Sequence, residues 1–392
     1  MNSSYRLSSV YTFVDNISLP DTEYASGLLD TQTGEVLLLN PEFTQLLRLF
    51  QQPASVEDAI RLFAPSLQAS PADIQAVLEP TITRFVQQNI LTPSDQFLES
   101  TSDSPLTLKS RSRIGKYIVQ SELSITPPIG VYRVKDDRGR SYVLKKLFLH
   151  PKTPAWVIRE QQKEFAYEFE LLEHFRSSPY ITRLIEFDST EQTGVTTYFA
   201  GQSLWRYLDA HATTLSLHKR IDLLIQLLRG MDELHQRGVL HGDLHSSNIL
   251  VNPKNRIKII DFDLALFYKD RKKQNIRYGG IVDFTPPERL TDDVFHQLRG
   301  VPTFRAEVYQ IGVLGYFIIQ GKLPFEGTTW RDQINAIRHD APHWDKEIPV
   351  EIIQLLDKAL DKKPRRRFAS ATEMKAVMLP VLRAIQKQLY PE

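Results

Sequence analysis

The stretch that most constrains this chain is residues 239–265, VLHGDLHSSNILVNPKNRIKIIDFDLA. Two apolar runs, Ile249-Leu250-Val251 and residues 257–260, flank Pro253-Lys254-Asn255. That pattern reads as a strand, a tight turn and a second strand. The turn folds Asp261 back beside Asn248 and Asp243, so carboxylate and amide oxygens converge on one point. Hard oxygen donors with few soft neighbours suit Mg2+, which takes carboxylates together with phosphate oxygens.

The order His241-x-Asp243-x-x-x-x-Asn248, followed by Asp261-Phe262-x, resembles the catalytic and metal-binding loops of the protein-kinase superfamily. The resemblance implies ATP as phosphoryl donor and Mg2+ as its cation. It implies that Asp243 accepts or orients the proton of the attacking hydroxyl. Asn248 and Asp261 then hold metal ions that bridge the nucleotide phosphates. Phosphoryl transfer asks for little covalent help, so such a site works by positioning and charge neutralisation.

Residues 114–200 fit the smaller lobe of that fold. Residues 117–122, 130–135 and 141–147 read as strands, with Asp136-Asp137-Arg138-Gly139 as a hairpin turn. By resemblance, Lys145 in Y-V-L-K-K pairs with the α- and β-phosphates. Glu168, in the helical run E-F-A-Y-E-F-E-L-L-E-H-F, is the favoured carboxylate to fix it, with Glu164 and Glu170 as alternatives. The phosphate-covering loop departs from the family. Ser124-Ile125-Thr126-Pro127-Pro128-Ile129 stands where G-x-G-x-x-G is usual, and only Gly130 is present to approach the cofactor. Glycine lets backbone N–H groups come close to phosphate, whereas each proline removes a donor. A loop of another shape, or weaker nucleotide binding, is expected.

Residues 201–392 fit the larger lobe. Helices are expected over 203–210 and 217–237 from their apolar spacing. The segment from Asp261 to Pro286-Pro287-Glu288 resembles an activation segment, and the resemblance pairs Glu288 with Arg367. Glu307-Val308-Tyr309-Gln310-Ile311-Gly312 resembles the central helix, with Glu307 where aspartate is usual. These features favour a protein kinase over a small-molecule phosphotransferase. Further departures are Gly242 for the usual arginine, His245 for a phosphate-touching lysine, Asp263 for a flexible glycine, and Ile281 for a substrate-loop threonine. His245 either donates to phosphate or packs locally. H-G-D-L-H also resembles sugar and antibiotic kinases, which keeps a small-molecule phosphotransferase of the aminoglycoside-kinase kind open as an alternative.

Residues 1–92 carry a different pattern. Strand composition covers 10–15, 24–30 and 35–39, with a turn at Thr31-Gln32-Thr33-Gly34. Asn40-Pro41, Ser55 and Ser70-Pro71 are helix starts, and Pro80 falls inside the third helix, where it kinks or splits it. The set is that of a winged helix. TGEVLLLNPEFTQLLRLF, SVEDAIRLF and a closing NIL resemble the PqqD-like domain. That family binds the leader part of precursor peptides in ribosomal natural-product pathways, as an added strand at a sheet edge. The alternative is a docking or dimerisation domain. Residues 93–113, rich in Ser, Thr, Pro and Asp, read as a linker.

Net charge is +1 and Arg84 is the sole basic residue of the third helix pattern, so no nucleic-acid partner is expected. Residues 308–325 are interrupted by Gln310, Gln320, Gly321 and Lys322, which indicates a buried helix and no membrane partner. The first twenty residues lack a signal-peptide pattern. The absence of cysteine excludes disulfides, thiolate metal sites and thiol nucleophiles, and fits a cytoplasmic location.

The expectation is an α+β, two-lobed protein-kinase-like fold over 114–392 behind an N-terminal winged-helix-like domain over 1–92. The expected activity is ATP-dependent phosphorylation of Ser or Thr in a peptide or protein captured by the front domain, in its narrowest form a ribosomal precursor. A pseudokinase scaffold that binds peptide without phosphoryl transfer is the third reading.

Overall fold

The computed structural model describes residues 4–8, 11–15, 26–30, 36–39, 46–50, 54–67, 75, 78–79, 81–83, 85–86, 90–93, 108–126, 128–149, 155–270, 282–290, 301–327 and 330–389. The chain forms two compact units. One contains residues 1–112, 121–131 and 292–296, and the other 113–120, 132–291 and 297–392.

In the first unit, β1 (Ser4–Leu7), β2 (Tyr11–Asp15), β3 (Ser26–Asp30), β4 (Val36–Leu39), β5 (Ala54–Ser55) and β6 (Leu91–Pro93) make two antiparallel sheets, ordered β2-β3-β4 and β5-β1-β6. Helix α1 (Val56–Leu67) opens on a capping box. The Asp58 backbone N–H donates to Ser55 Oγ at 3.2 Å, and Asp58 Oδ2 accepts from the Ser55 N–H at 2.8 Å. Leu46, Leu47, Phe50, Ala59, Leu78, Ile82, Phe85 and Ile90 form the core, with Val56 and Ile60 packed on it. The expected strands correspond to β2, β3 and β4. Strands β1, β5 and β6 escape a pattern reading because they are two to four residues long. The turn at 31–34, the helix starts at 40–41 and 70–71, Pro80 and linker residues 94–107 lie outside the described residues.

A six-stranded sheet follows, ordered β11-β12-β10-β9-β8-β7. Its strands are β7 (Arg113–Ile114), β8 (Tyr117–Thr126), β9 (Ile129–Lys135), β10 (Ser141–Leu147), β11 (Leu184–Asp188) and β12 (Thr193–Thr197). The turn before β10 forms as expected: Gly139 has φ 77° and its N–H donates to Asp136 O at 2.9 Å. The place of the phosphate-covering loop, expected to take another shape, is mostly strand. Strand β8 runs through Ser124, Ile125 and Thr126, and β9 resumes at Ile129. Ile125 and Thr126 are β-branched and prefer extended backbone.

Helix α2 (Ala155–Glu173) lies between β10 and β11 in sequence, and its Phe169 stacks on Phe187 of β11 at 5.0 Å between ring centroids. Gly194 of β12 is required there, because a Cβ would overlap the Phe169 ring.

Beyond the sheet come β13 (Gln202–Ser203), α3 (Leu204–Ala210), α4 (Leu217–Gln236), β14 (Val239–Leu240), β15 (Ile249–Val251), β16 (Ile257–Ile259) and β17 (Leu266–Phe267). Helices α5 (Phe304–Gln320), α6 (Trp330–His339), α7 (Val350–Ala359) and α8 (Ala371–Leu389) complete the described chain. Residues 306–319 of α5 are all buried, and Gly321 ends the helix at φ 80°. Among the described residues no helix is long and apolar enough to cross a membrane.

Candidate active site

The hairpin read from the sequence forms by β15 and β16 pairing Ile249 with Ile259 and Val251 with Ile257. Asn252 Oδ1 accepts from the N–H groups of Lys254 and Arg256 at 2.9 and 3.0 Å, and Asn255 takes φ 56° to close the turn. The Ile260 N–H donates to Asn248 O at 3.0 Å, which seats the residue before Asp261 against Asn248. Asp261 itself has φ 62°, a left-handed conformation that aspartate tolerates better than most residues.

Ahead of the hairpin, the Asp243 N–H donates to His241 Nδ1 at 3.4 Å, so His241 carries its proton on Nε2 and donates to Ile260 O at 3.1 Å. The His241 ring lies 4.9 Å from that of Phe262, linking both halves of the motif by packing as well. Asn248 Nδ2 donates to the Asp243 carbonyl at 2.8 Å. His245 Nδ1 accepts from the Ser247 N–H at 3.2 Å, which leaves Nε2 as the donor, 3.5 Å from Asp243 Oδ2. Burial works to raise the Asp243 pKa, but His245, His241 and Asn248 together outweigh it and hold the carboxyl below the ordinary aspartate range.

Lys145 projects from β10 into a ring of carboxylates. Its Nζ is 2.9 Å from Glu168 Oε2 on α2, 3.4 Å from Asp261 Oδ1, and in contact with Asp263 Oδ1. Of the three glutamates weighed from sequence, Glu168 makes this pair, and Glu164 and Glu170 are exposed. Burial alone would lower the Lys145 pKa, but Glu168, Asp263 and Asp261 override it and keep the ammonium charged. Glu168 is raised, first by burial and then by repulsion from Asp263, against the opposing pull of Lys145. One cation facing three anions leaves excess negative charge. The carboxylate oxygens of Glu168, Asp261 and Asp263 lie within 4.8 Å of one another, an all-oxygen set of the kind that hard divalent cations take. Gly130 is a buried residue of β9, in the stretch that belongs with the first unit.

Residues 130–378 match the family model for the protein kinase domain. The chain belongs to the protein kinase domain family. Among similar proteins of this family are a "Probable serine/threonine-protein kinase" of Clostridium acetobutylicum, 23% identical over 275 residues, and "Sperm motility kinase 1" of Mus musculus, 30% identical over 253 residues. The first alignment covers 66% of this chain and 39% of the relative, the second 62% and 48%. "Probable serine/threonine-protein kinase PknB" of Lactococcus lactis is 26% identical over 200 residues, covering 48% of this chain and 30% of its own. The chain thus spans half or less of the length of these curated relatives.

Within the kinase domain, the contacts of two residues had no clear sequence signal. Asp263 stood out only as a residue replacing glycine, and its place on Lys145 emerges from the fold. Glu307 reaches both Gly242 and His235, at 2.8 Å each. The pair between Glu288 and Arg367 is bidentate, at 2.8 and 2.7 Å, with the arginine side chain fully buried.

Proposed function

We propose that the chain is an ATP-dependent kinase that phosphorylates Ser or Thr in a peptide or protein. The observation that carries this reading is the 2.9 Å Lys145–Glu168 pair beside Asp261, built from residues up to 116 positions apart. Lys145 presents the cation for the nucleotide phosphates, and Glu168 fixes its position. Asp261 and the Oδ1 end of Asn248 suit Mg2+, and the excess carboxylate charge of the site fits a divalent cation. When bound, that ion neutralises charge on the transferred phosphoryl group. Asp243 stays ionised and orients the acceptor hydroxyl. A carboxyl with a depressed pKa is a weak base, so orientation rather than early proton removal is its contribution. His245 Nε2–H supplies a donor next to Asp243 for the transferred phosphoryl oxygens.

The front domain, residues 1–92, is read as a PqqD-like module that takes the substrate chain as an added strand, with residues 93–113 as tether. Strands β2 and β4 are sheet edges among the described residues, which is what strand addition requires. A ribosomal precursor peptide is the substrate class this module suits. Capture raises the local concentration of acceptor at the kinase domain.

One observation favours a second reading, a pseudokinase scaffold: strand backbone occupies the place of the phosphate-covering loop through Thr126. Transfer of radiolabelled γ-phosphate from Mg·ATP to a Ser/Thr-containing peptide, in wild type and Asp243→Asn, separates the two. Transfer by wild type that Asp243→Asn lacks supports the kinase. Nucleotide binding without transfer by either protein supports the scaffold.

A further inference from the structure

Asp263 stands directly after Asp261-Phe262, where the family resemblance leads one to expect glycine. Its carboxylate contacts Lys145 Nζ, which also faces Glu168 at 2.9 Å and Asp261 at 3.4 Å. A lysine ammonium has three N–H donors and no acceptor. Three carboxylates therefore match its whole donor capacity. A nucleotide phosphate reaches this ammonium only by replacing one of them.

Burial sets Glu168 apart from the other two. The Glu168 side chain is 7% exposed and mounted on a packed helix, whereas those of Asp261 and Asp263 are 44% and 34% exposed. Asp261 already makes the longest of the three contacts. Asp261 is read above as a metal ligand, so the bond exchanged for phosphate is the one to Asp263. Charge points the same way. Asp261 and Asp263 crowd negative charge about one ammonium, and the cluster must admit a polyanion. Each added like charge a few ångströms away opposes entry strongly in a partly buried site.

We infer that Asp263 is a positioning residue acting through Lys145: it holds the ammonium in the nucleotide-free protein and makes nucleotide binding depend on a divalent cation that offsets its charge. The inference rests on the reading of this site as an ATP site. It assigns a role to the one acidic residue of the cluster that the family pattern does not supply.

The test is the affinity of the full-length protein for ATP, measured by displacement of a fluorescent ATP analogue in EDTA and in excess Mg2+. Wild type, Asp263→Asn and Asp263→Gly are compared, with melting curves to establish that each is folded. Removing the aspartate charge is expected to tighten metal-free binding about tenfold in both variants, and to shrink the Mg2+–ATP coupling by a similar factor. A merely structural role does not produce tighter binding. Metal-free affinities in both variants equal to or weaker than wild type, with Mg2+-dependent binding retained in wild type, would overturn the inference. So would an effect confined to Asp263→Gly, since that reports backbone freedom rather than charge. Failure of all three proteins to bind ATP in Mg2+ overturns the nucleotide reading itself, and this inference with it.

Discussion

Glu307 Oε1 accepts a hydrogen bond from the Gly242 backbone N–H at 2.8 Å, across 65 residues of sequence. Its other oxygen accepts from His235 Nε2 at 2.8 Å. The Ala371 N–H donates to His235 Nδ1, which fixes the ring proton on Nε2. One buried carboxylate on α5 thus ties the end of α4 to the residue before Asp243. Gly242 takes φ 82°, and a Cβ there would overlap the Leu264 carbonyl oxygen. The missing arginine is therefore a backbone requirement of this chain.

Restoring that arginine is expected to harm the protein. Gly242→Arg and Gly242→Ala each place a side chain in the left-handed region against Leu264, at a cost of about 1–3 kcal/mol. Glu307→Ala leaves the His235 and Gly242 donors unmatched, about 1–3 kcal/mol for the buried His235 alone. Thermal or denaturant unfolding reads the loss. A Gly242→Arg protein as stable and as active as wild type would show that the φ 82° geometry is not needed.

Lys145→Met and Glu168→Gln are expected to lower phosphoryl transfer about a hundredfold or more; Glu168→Gln should leave the melting temperature close to wild type, whereas Lys145→Met, which leaves three carboxylates without their cation, should lower it. On the proposed reading Lys145 supplies charge at the phosphates and Glu168 holds it there. Because burial and repulsion already raise Glu168, the neutral glutamine fits its site without a desolvation cost. Steady-state kinetics with ATP varied should place most of the Glu168→Gln defect in kcat/KM for ATP.

Asp243 sets a prediction about acid. Its folded pKa lies below the ordinary 3.8, so ionisation favours the folded state. That contribution is fully present above pH 3.8 and is lost as pH falls through the folded value. Wild type and Asp243→Asn should converge in stability below pH 3.8 and keep a constant difference above it. His245→Ala removes a group that holds Asp243 down, so in that background the convergence should be complete at higher pH and the pH-dependent difference smaller. Urea titrations at stepped pH measure both.

Activity without activation-segment phosphorylation is expected. Of the hydroxyl residues in this segment, Thr285 is 3% exposed and Tyr268 stacks on Phe304 at 4.3 Å between ring centroids. Tyr278 and the basic residues Arg271, Lys272, Lys273 and Arg277 lie outside the described residues, as does Ile281. The Phe267 N–H donates to Tyr167 Oη at 3.2 Å, which joins the segment to α2 without a phosphate. Phosphatase-treated protein, its mass confirmed, should keep its initial rate, whereas Tyr167→Phe should lose several-fold. A large loss on dephosphorylation, restored by rephosphorylation, would refute this.

If residues 1–92 capture the substrate as proposed, deleting them raises KM for a long precursor-like peptide far more than it lowers kcat. A short peptide carrying only the acceptor should be indifferent. Equal kinetics for both proteins on the long peptide would remove the capture role, with a melting curve checking that the truncated protein folds.

The sequence by itself determined the hairpin that carries Asn248 and Asp261, the helices α3 and α4, and the family. Each rests on local signals: period, turn residues, caps and a motif with fixed spacing. Among Glu164, Glu168 and Glu170 it favoured one by spacing, but the distance to Lys145 depends on how α2 packs on the sheet through Phe165, Phe169 and Gly194. Three further facts were decided only by tertiary structure. The other shape expected for the phosphate-covering loop turns out to be strand β8 continued through Thr126 beside β9, which depends on pairing within the sheet. Asp263 meets Lys145 because two segments 118 residues apart converge, which no local pattern encodes. Gly242 proves to be a steric necessity, since its constraint is a carbonyl at Leu264, brought there by pairing of β14 with β17.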